Sequence, residues 1–420
     1  MPTITIKNID NEGRGQAMFE GHDYRVRGAF PGDEVEVQVE RIFKFHNIWA
    51  SKAKRFVKKG PHHIKRSCSH TRPCPACPLH DANLELEQQV KRDRIINALK
   101  EQGINFEVSP VVPHPNRLGY RQKVKLMVGG GPGDLKLGVY VPYSHKFKEA
   151  GDCPHVNPAI NQAVKELMPI FNNYRVEGLQ AIILRAGQDG VAGIFVTTQA
   201  IPEVAWEKIS LLSAKERIQD QKSNSLLGGV VGKIKGPGKI RSLEDGQLVD
   251  PEAFCQTDPA QAQRLYELVA DFLWQGEGRY VDAFAGVGGF SKALLKKGAC
   301  EITAIESNPV CKESLEALEL SCQRRLASSS IASSILDPSL RWDDNTLGLV
   351  LDPPKKGLMD EAEAYASTGA KRVALVSCDP KSMAQDLKIL LKHGYKVQKI
   401  IPVDLFGATP AVETVVLLER

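Results

Sequence analysis

The chain has 420 residues, of which 42% are hydrophobic and 25% charged, with a formal net charge of +5. That is enough chain for two or three domains with their own cores, in the composition of a soluble globular protein. No apolar run approaches membrane-spanning length and MPTITIKNIDNEG lacks a secretory pattern, so a cytoplasmic protein is expected, one whose nine cysteines are not structural disulfides.

Residues 1–57 read as short strands: ITIKNI, NEGRGQAMF, YRVRGAF, PGDEVEVQVERI and NIWASKAKRF. The strict alternation in EVEVQVE and the Gly or Pro at each join predict a small β-barrel. The order of GRGQA, GAFPGDEVEV and a basic last strand resembles the TRAM domain of RNA-modifying enzymes, which implies RNA delivery. From Arg41 to His80 there are ten Lys or Arg and no Asp or Glu. Phe43, Phe45, Trp49 and Phe56 are interleaved with them. Clustered cations suit phosphates and rings suit bases, so a polyanion, RNA, is the expected partner.

Cys68, Cys74 and Cys77 stand at C-x5-C-x2-C, and Cys153 follows in GDCPH. Three soft ligands in a Pro-rich loop argue for a metal: zinc, completed by His70, His80 or His155, or a [4Fe-4S] cluster with the distant thiolate as fourth ligand. Leu84 to Gly103 has helical periodicity. Strands at Arg121–Val128, Leu137–Val141, Gln180–Ala186 and Val191–Thr197, with a helix at Asn161–Phe171, form the expected platform for the metal loop. The stretch KIKGPGK, from Lys233 to Lys239, reads as an exposed turn able to touch phosphates.

After the helix Asp258–Trp274 comes VDAFAGVGGF, an apolar run ending at Asp282 and then a turn crowded by Gly286, Gly288 and Gly289. A strand, glycine turn and helix let the backbone approach a ligand closely. Glu306, closing the next strand, is placed to accept hydrogen bonds from ribose hydroxyls. Asp282 would repel a pyrophosphate but suits a sulfonium and an ammonium, so S-adenosylmethionine (SAM) is expected rather than a dinucleotide. Strand ends follow at Asp352 and Ser377, then a terminal strand pair, Tyr395–Val403 and Thr414–Leu418. Alternating strands and helices predict a mostly parallel sheet with an antiparallel edge hairpin.

LDPPKKG resembles the signature of amine methyltransferases, but Lys355 stands where an aromatic ring would stack the base, which disfavours amine methylation. In SCDP, Cys378 follows a strand, with Pro380 in the first turn of a helix and Lys381 close by. That placement predicts a lowered thiol pKa. A thiolate adding to carbon 6 of a pyrimidine makes carbon 5 nucleophilic, and a base must then remove the carbon 5 proton. Glu413 is the candidate base. Cytosine-C5 methylation shares this chemistry but needs an acid for ring nitrogen 3, and no residue is evidently placed for it.

These features together resemble the bacterial RNA uracil-C5 methyltransferases over nearly the whole chain: the barrel, the cysteine set, F-x-Q at Phe254–Gln256, DAFAGVGGF, LDPPKKGL, SCDP and the terminal VET. The closest type is the ribosomal RNA enzyme with TRAM domain and iron–sulfur cluster. The resemblance implies a [4Fe-4S] cluster on Cys68, Cys74, Cys77 and Cys153. It implies SAM held by Gln256, Asp282, Phe284, Gly286, Gly288, Glu306 and Asp352, with Cys378 as nucleophile and Glu413 as proton acceptor. The expected fold is multidomain α+β and α/β: a TRAM/OB-like β-barrel over 1–57, a central mixed domain with the metal loop over 58–250, and a Rossmann-like class I SAM methyltransferase domain over 251–420, with helix 84–104 a candidate to pack on it. The expected activity is 5-methyluridine formation in structured RNA, 23S ribosomal RNA before transfer RNA. The chain departs from the family at CPAC for CGGC, at Asp258 for asparagine, and at FGATPAVE, which lacks a proline and a histidine. A catalytically weakened RNA-binding protein is the rival reading.

Overall fold

The computed structural model describes residues 1–65, 68, 75–141, 147–220, 227–316, 324–327 and 346–420. They form two compact units. One comprises Met1–Lys91, Pro115–Ile240 and Phe406–Pro410, the other Arg92–His114, Arg241–Leu405 and Ala411–Arg420.

The first unit begins with a six-stranded sheet built from Thr3–Thr5, Asn8–Ile9, Gly15–Phe19, His22–Arg27, Glu34–Phe43 and Ile48–Lys58. Its pairs are antiparallel except His22–Arg27 with Ile48–Lys58, which run parallel. The alternation of EVEVQVE turns Val35 and Val37 inward against Ile4, Ile6, Tyr24 and Val26. A seven-stranded sheet follows, in the order Val230–Lys235, Ser213–Ile218, Gly190–Thr197, Leu179–Gly187, Lys123–Gly129, Lys136–Tyr140, Phe147–Glu149. The helix Pro158–Asn173, capped by the Asn157 side chain, packs Ile160, Val164, Leu167 and Phe171 on this sheet.

The helix Leu84–Glu101 stops just before Gly103, whose φ of +73° suits glycine. Its residues as far as Lys91 count with the first unit, where Leu86 and Val90 pack on Phe30 and Leu79. Ile95, Ala98 and Leu99 belong to the core of the second unit.

That second unit is built on seven strands: β1 (Arg279–Asp282), β2 (Glu301–Ile305), β3 (Arg324–Ala327), β4 (Thr346–Leu351), β5 (Arg372–Ser377), β6 (Lys396–Val403) and β7 (Glu413–Glu419). Its helices are α1 (Pro259–Leu273), α2 (Gly289–Lys296), α3 (Pro309–Glu316), α4 (Ala362–Ala366) and α5 (Pro380–Lys392). The strand order is β3-β2-β1-β4-β5-β7-β6. The first five run parallel, and β7 pairs antiparallel with both β5 and β6. The expected hairpin is therefore present, with β7 inserted and β6 at the edge. Residues of β4, β5 and β7 are buried almost without a break, the physical reason their sequences read as apolar runs rather than alternations.

This order has a consequence for chemistry. The carboxyl ends of β1, β4 and β5 share one edge of the sheet, and β7, running the other way, brings its first residue to that edge. Ser377 pairs with Thr414. Glu413 is thereby carried to the strand ends marked by Asp282, the last residue of β1, and by Asp352 and Cys378, the first residues after β4 and β5.

Candidate active site

Asp282 ends β1 with no exposed surface. Its Oδ2 accepts from Ser291 N at 3.1 Å and Ser291 Oγ at 2.7 Å, in the first turn of α2. Oδ1 is buried without a partner. Burial pushes this carboxyl up to about 6 despite the Ser291 hydrogen bonds. Between Asp282 and α2, Gly286 and Gly288 hold φ of +54° and +87°. A Cβ on Gly286 would meet no atom within 4 Å, so this turn faces open space. Phe284 packs on the core of the sheet, its ring 5.9 Å from that of Tyr365.

Glu306, beyond β2, accepts from Gly286 N at 2.8 Å and from Asn308 N at 2.6 Å. It therefore fixes the glycine turn, and each oxygen keeps a lone pair for a further donor. Gln256 is buried and its backbone N donates to Glu244 Oε1 at 3.1 Å. Asp258 caps α1 by accepting from Ala260 N and Gln261 N, and lies 2.6 Å from His114 Nε2.

Asp352, half-buried beyond β4, has a carboxyl pushed up to about 8, first by burial and then by the charge of Asp282. Glu413 is 3% exposed and its Oε1 has no partner. Burial, then Asp352, raises its carboxyl well above the usual range. Cys378 sits beside them: burial first, then Glu413 and Asp352, pushes its thiol up to about 11. This corrects the lowered thiol pKa expected from the sequence. The cap of α5 adds to this: the Asp379 carboxylate accepts from Lys381 N at 3.0 Å and Ser382 N at 3.2 Å. The positive helix end is satisfied by an anion, so it does little for the thiol.

Electrostatic influence thus passes along the sheet edge from Glu306 to Asp282, Asp352, Glu413 and Cys378. Crowded acids in a dry setting lack positive charge. A ligand carrying a sulfonium and an ammonium would supply it, with the unpartnered Asp282 Oδ1 and the open face of Gly286 as the features that fit. The residues of the donor set suit SAM on this ground. No motif marks Tyr266, which lies midway along α1. Its hydroxyl donates to Glu244 Oε2 at 2.9 Å, and its ring fills the space a Cβ on Gly289 would need, 2.4 Å away.

In the first unit, Cys68, Cys77 and Cys153 line one cavity of about 270 Å³ together with His80 and His155. Cys74 and His70 lie outside the described residues. Among the described residues no three His, Cys, Asp or Glu side chains are grouped to hold a metal ion. His80 Nδ1 lies 2.9 Å from His155 Nε2. At the turn between the last two strands of the first sheet, Lys44, Phe45 and His46 are exposed, and the Arg41 guanidinium lies over the Phe43 ring at 5.0 Å. No helix among the described residues is long and apolar enough to cross a membrane.

The segment Phe406–Pro410, just ahead of Glu413, is also held in the first unit. Ala408 N donates to Glu87 Oε1 at 2.8 Å, Lys91 Nζ to Phe406 O at 3.1 Å, and the Tyr120 hydroxyl to Gly407 O at 3.1 Å. Glu87 and Lys91, both fully buried, pair at 3.1 Å. The stretch Phe406–Ala408 is therefore fixed through its backbone.

Residues 340–420 match the family of tRNA (uracil-5-)-methyltransferases. Over 98% of its length the chain is 27% identical to an uncharacterized RNA methyltransferase of Oceanobacillus iheyensis, covering 95% of that protein. It is 26% identical to another of Clostridium tetani, over 99% of this chain and 95% of that one. In fold it is similar to the tRNA (uracil-54, C5)-methyltransferase of Pyrococcus abyssi, solved with S-adenosyl-L-homocysteine, with a TM-score of 0.76, 23% identity and coverage of 99% of this chain and 100% of that one.

Proposed function

We propose that the chain, an RNA methyltransferase related to the tRNA (uracil-5-)-methyltransferases, uses SAM to methylate carbon 5 of a uridine in structured RNA. The observation that carries this reading is the meeting of a thiol, Cys378, with the half-buried carboxyl of Asp352 and the buried carboxyl of Glu413 at the carboxyl ends of the parallel strands. SAM, when bound, supplies an electrophilic methyl group. Gln256, Phe284, Gly286, Gly288 and Glu306 hold it, with Asp282 and Asp352 answering its positive charge.

Cys378 Sγ gives its proton to solvent as it bonds to carbon 6 of the uracil and the C5=C6 electron pair moves to carbon 5 and the ring carbonyl, because a thiol raised to about 11 is not a standing thiolate at neutral pH. Carbon 5 thereby becomes the nucleophile that gains the methyl group. Glu413, once ionised, then takes the carbon 5 proton, and the burial that raises its proton affinity helps it keep that proton. Loss of that proton restores the ring double bond and expels the thiolate. The target uridine must leave its stack to reach Cys378, at roughly a few kcal/mol. The basic, aromatic-bearing residues 41–80 hold the surrounding RNA in a cytoplasmic setting.

Cys68, Cys74, Cys77 and Cys153 are the proposed ligands of a [4Fe-4S] cluster. The three described cysteines around one cavity support this set. Iron and sulfide assay of anaerobically purified protein checks it, with loss of both in Cys153→Ser. Ribosomal RNA is the substrate that the sequence motifs favour, and transfer RNA is the second reading, which the matched family's own description favours. Incubation with labelled SAM and separated ribosomal and transfer RNA, then nucleoside digestion, discriminates the two. Label in any nucleoside but 5-methyluridine overturns the chemistry. Glu413→Gln should accumulate an RNA adduct that survives denaturation; wild-type turnover by that variant removes Glu413 from the mechanism.

A further inference from the structure

One side chain outside every recognised motif ties the parts of the donor site together. Glu244 lies in the turn Arg241–Gln247, before α1, and its two carboxylate oxygens face different partners. Oε1 accepts from Gln256 N at 3.1 Å, and Oε2 accepts from the Tyr266 hydroxyl at 2.9 Å. Its own carbonyl accepts from Gln263 Nε2 at 2.6 Å. The Tyr266 ring lies against Gly289, where a Cβ would come within 2.4 Å, and makes an edge contact with Phe290 at 4.9 Å between ring centroids. The acid thus grips the Phe254–Gln256 segment on one side and, through Tyr266, the start of α2 on the other.

The neighbours of Glu244 extend the grip. Lys292 of α2 donates to Asp245 and, at 2.6 Å, to Gln247 Oε1. Gln247 Nε2 donates to Ser314 O of α3 at 2.5 Å. One short turn therefore meets α1, α2, α3 and the glutamine segment, the elements that surround the glycine turn. The carboxylate's charge is felt at Tyr266, whose hydroxyl burial and then Glu244 push well above its ordinary value, so it stays a neutral donor.

We propose that Glu244 is the positioning residue of the methyl-donor site, holding the Gln256 backbone and the Tyr266 ring at the spacing that a bound adenosyl ligand requires. This rests on the SAM reading above, and it assigns Glu244 no contact with the reacting atoms. An acid suits this position because a single side chain accepts from a backbone N–H and a phenol at once. Glutamine, with one acceptor oxygen and an NH2, can keep the first contact and donate to the phenol oxygen, so it should rescue much of the loss.

The test is calorimetric binding of S-adenosyl-L-homocysteine to wild type, Glu244→Ala, Glu244→Gln and Tyr266→Phe, with RNA affinity measured on each. Glu244→Ala should weaken binding about tenfold or more, since it leaves two buried donors unmade, and Glu244→Gln should recover most of that. RNA affinity should be unchanged, and KM for SAM should rise with little change in kcat. Tyr266→Phe, which removes one hydroxyl and keeps the ring, should weaken binding about threefold to fivefold and covers the case where Glu244→Ala fails to fold. Wild-type affinity in both Glu244→Ala and Tyr266→Phe overturns the proposal, as does an equal loss of RNA and ligand binding. If wild type itself binds no S-adenosyl-L-homocysteine, the SAM reading falls first and takes this one with it.

Discussion

Replacing Asp352 with asparagine should change how stability depends on pH more than how large it is. In the folded protein this carboxyl titrates at about 8, against 3.8 for its ordinary value, because burial and the Asp282 charge oppose ionisation. The sign follows from linkage: between those values the folded state binds the extra proton, so stability falls as pH rises across the window and levels off above it. At roughly 1.4 kcal/mol per unit, the penalty reaches about 6 kcal/mol at pH 8 and about 1.6 kcal/mol at pH 5. Asp352 is only half-buried, and water screening roughly halves both figures. Asp352→Asn removes the titration, so its advantage over the parent should grow by about 2 kcal/mol from pH 5 to pH 8. In thermal scans of both proteins that growth is about 5 °C. A difference between the two midpoints that stays constant from pH 5 to pH 8 would refute the assignment of a raised carboxyl at this position.

The same charges govern the thiol. Alkylation of Cys378 by iodoacetamide should follow an apparent pKa near 11, and Asp352→Asn should move it down; a neutral-pH thiolate would contradict the crowded-acid picture. Gly289→Ala places a methyl group 2.4 Å from the Tyr266 ring and should cost about 1–3 kcal/mol as the ring is displaced, read in the thermal midpoint. Unchanged stability and ligand affinity would mean the ring moves freely. Lys91→Ala removes one of the two cations on the buried Glu87 carboxylate, Arg117 remaining, together with the donor to Phe406 O, and should destabilise by about 1–2 kcal/mol, whereas an exposed control such as Lys44→Ala should change nothing measurable.

The strand order, not the motif, explains why one electrostatic expectation failed. Cys378, Asp379 and Pro380 are adjacent, and from their order alone the thiol belongs to a positive helix end. In the fold Asp379 turns back to cap that end, as its residue type and the following proline permit. Ahead of Asp379 in effect are two distant carboxylates, Asp352, 26 residues earlier, and Glu413, 35 later, brought there by β4 and β7 flanking β5.

Local chemistry was therefore open to reading from the chain. Glycines with positive φ at 286 and 288, acids closing β1 and β2, and alternation in EVEVQVE each follow from a residue and its immediate neighbours. Burial on both sides of the sheet wrote β4, β5 and β7 as apolar runs, which the chain shows directly. What residue order does not carry is which distant groups become neighbours once those strands assemble. Glu244 gripping Gln256 and Tyr266, Glu87 and Lys91 buried as a pair beneath the 406–408 backbone, and a thiol surrounded by acids all arise from packing. Interaction energies between charges and hydrogen-bonding groups depend on distance and on exclusion of water, and both are set only when the chain is folded.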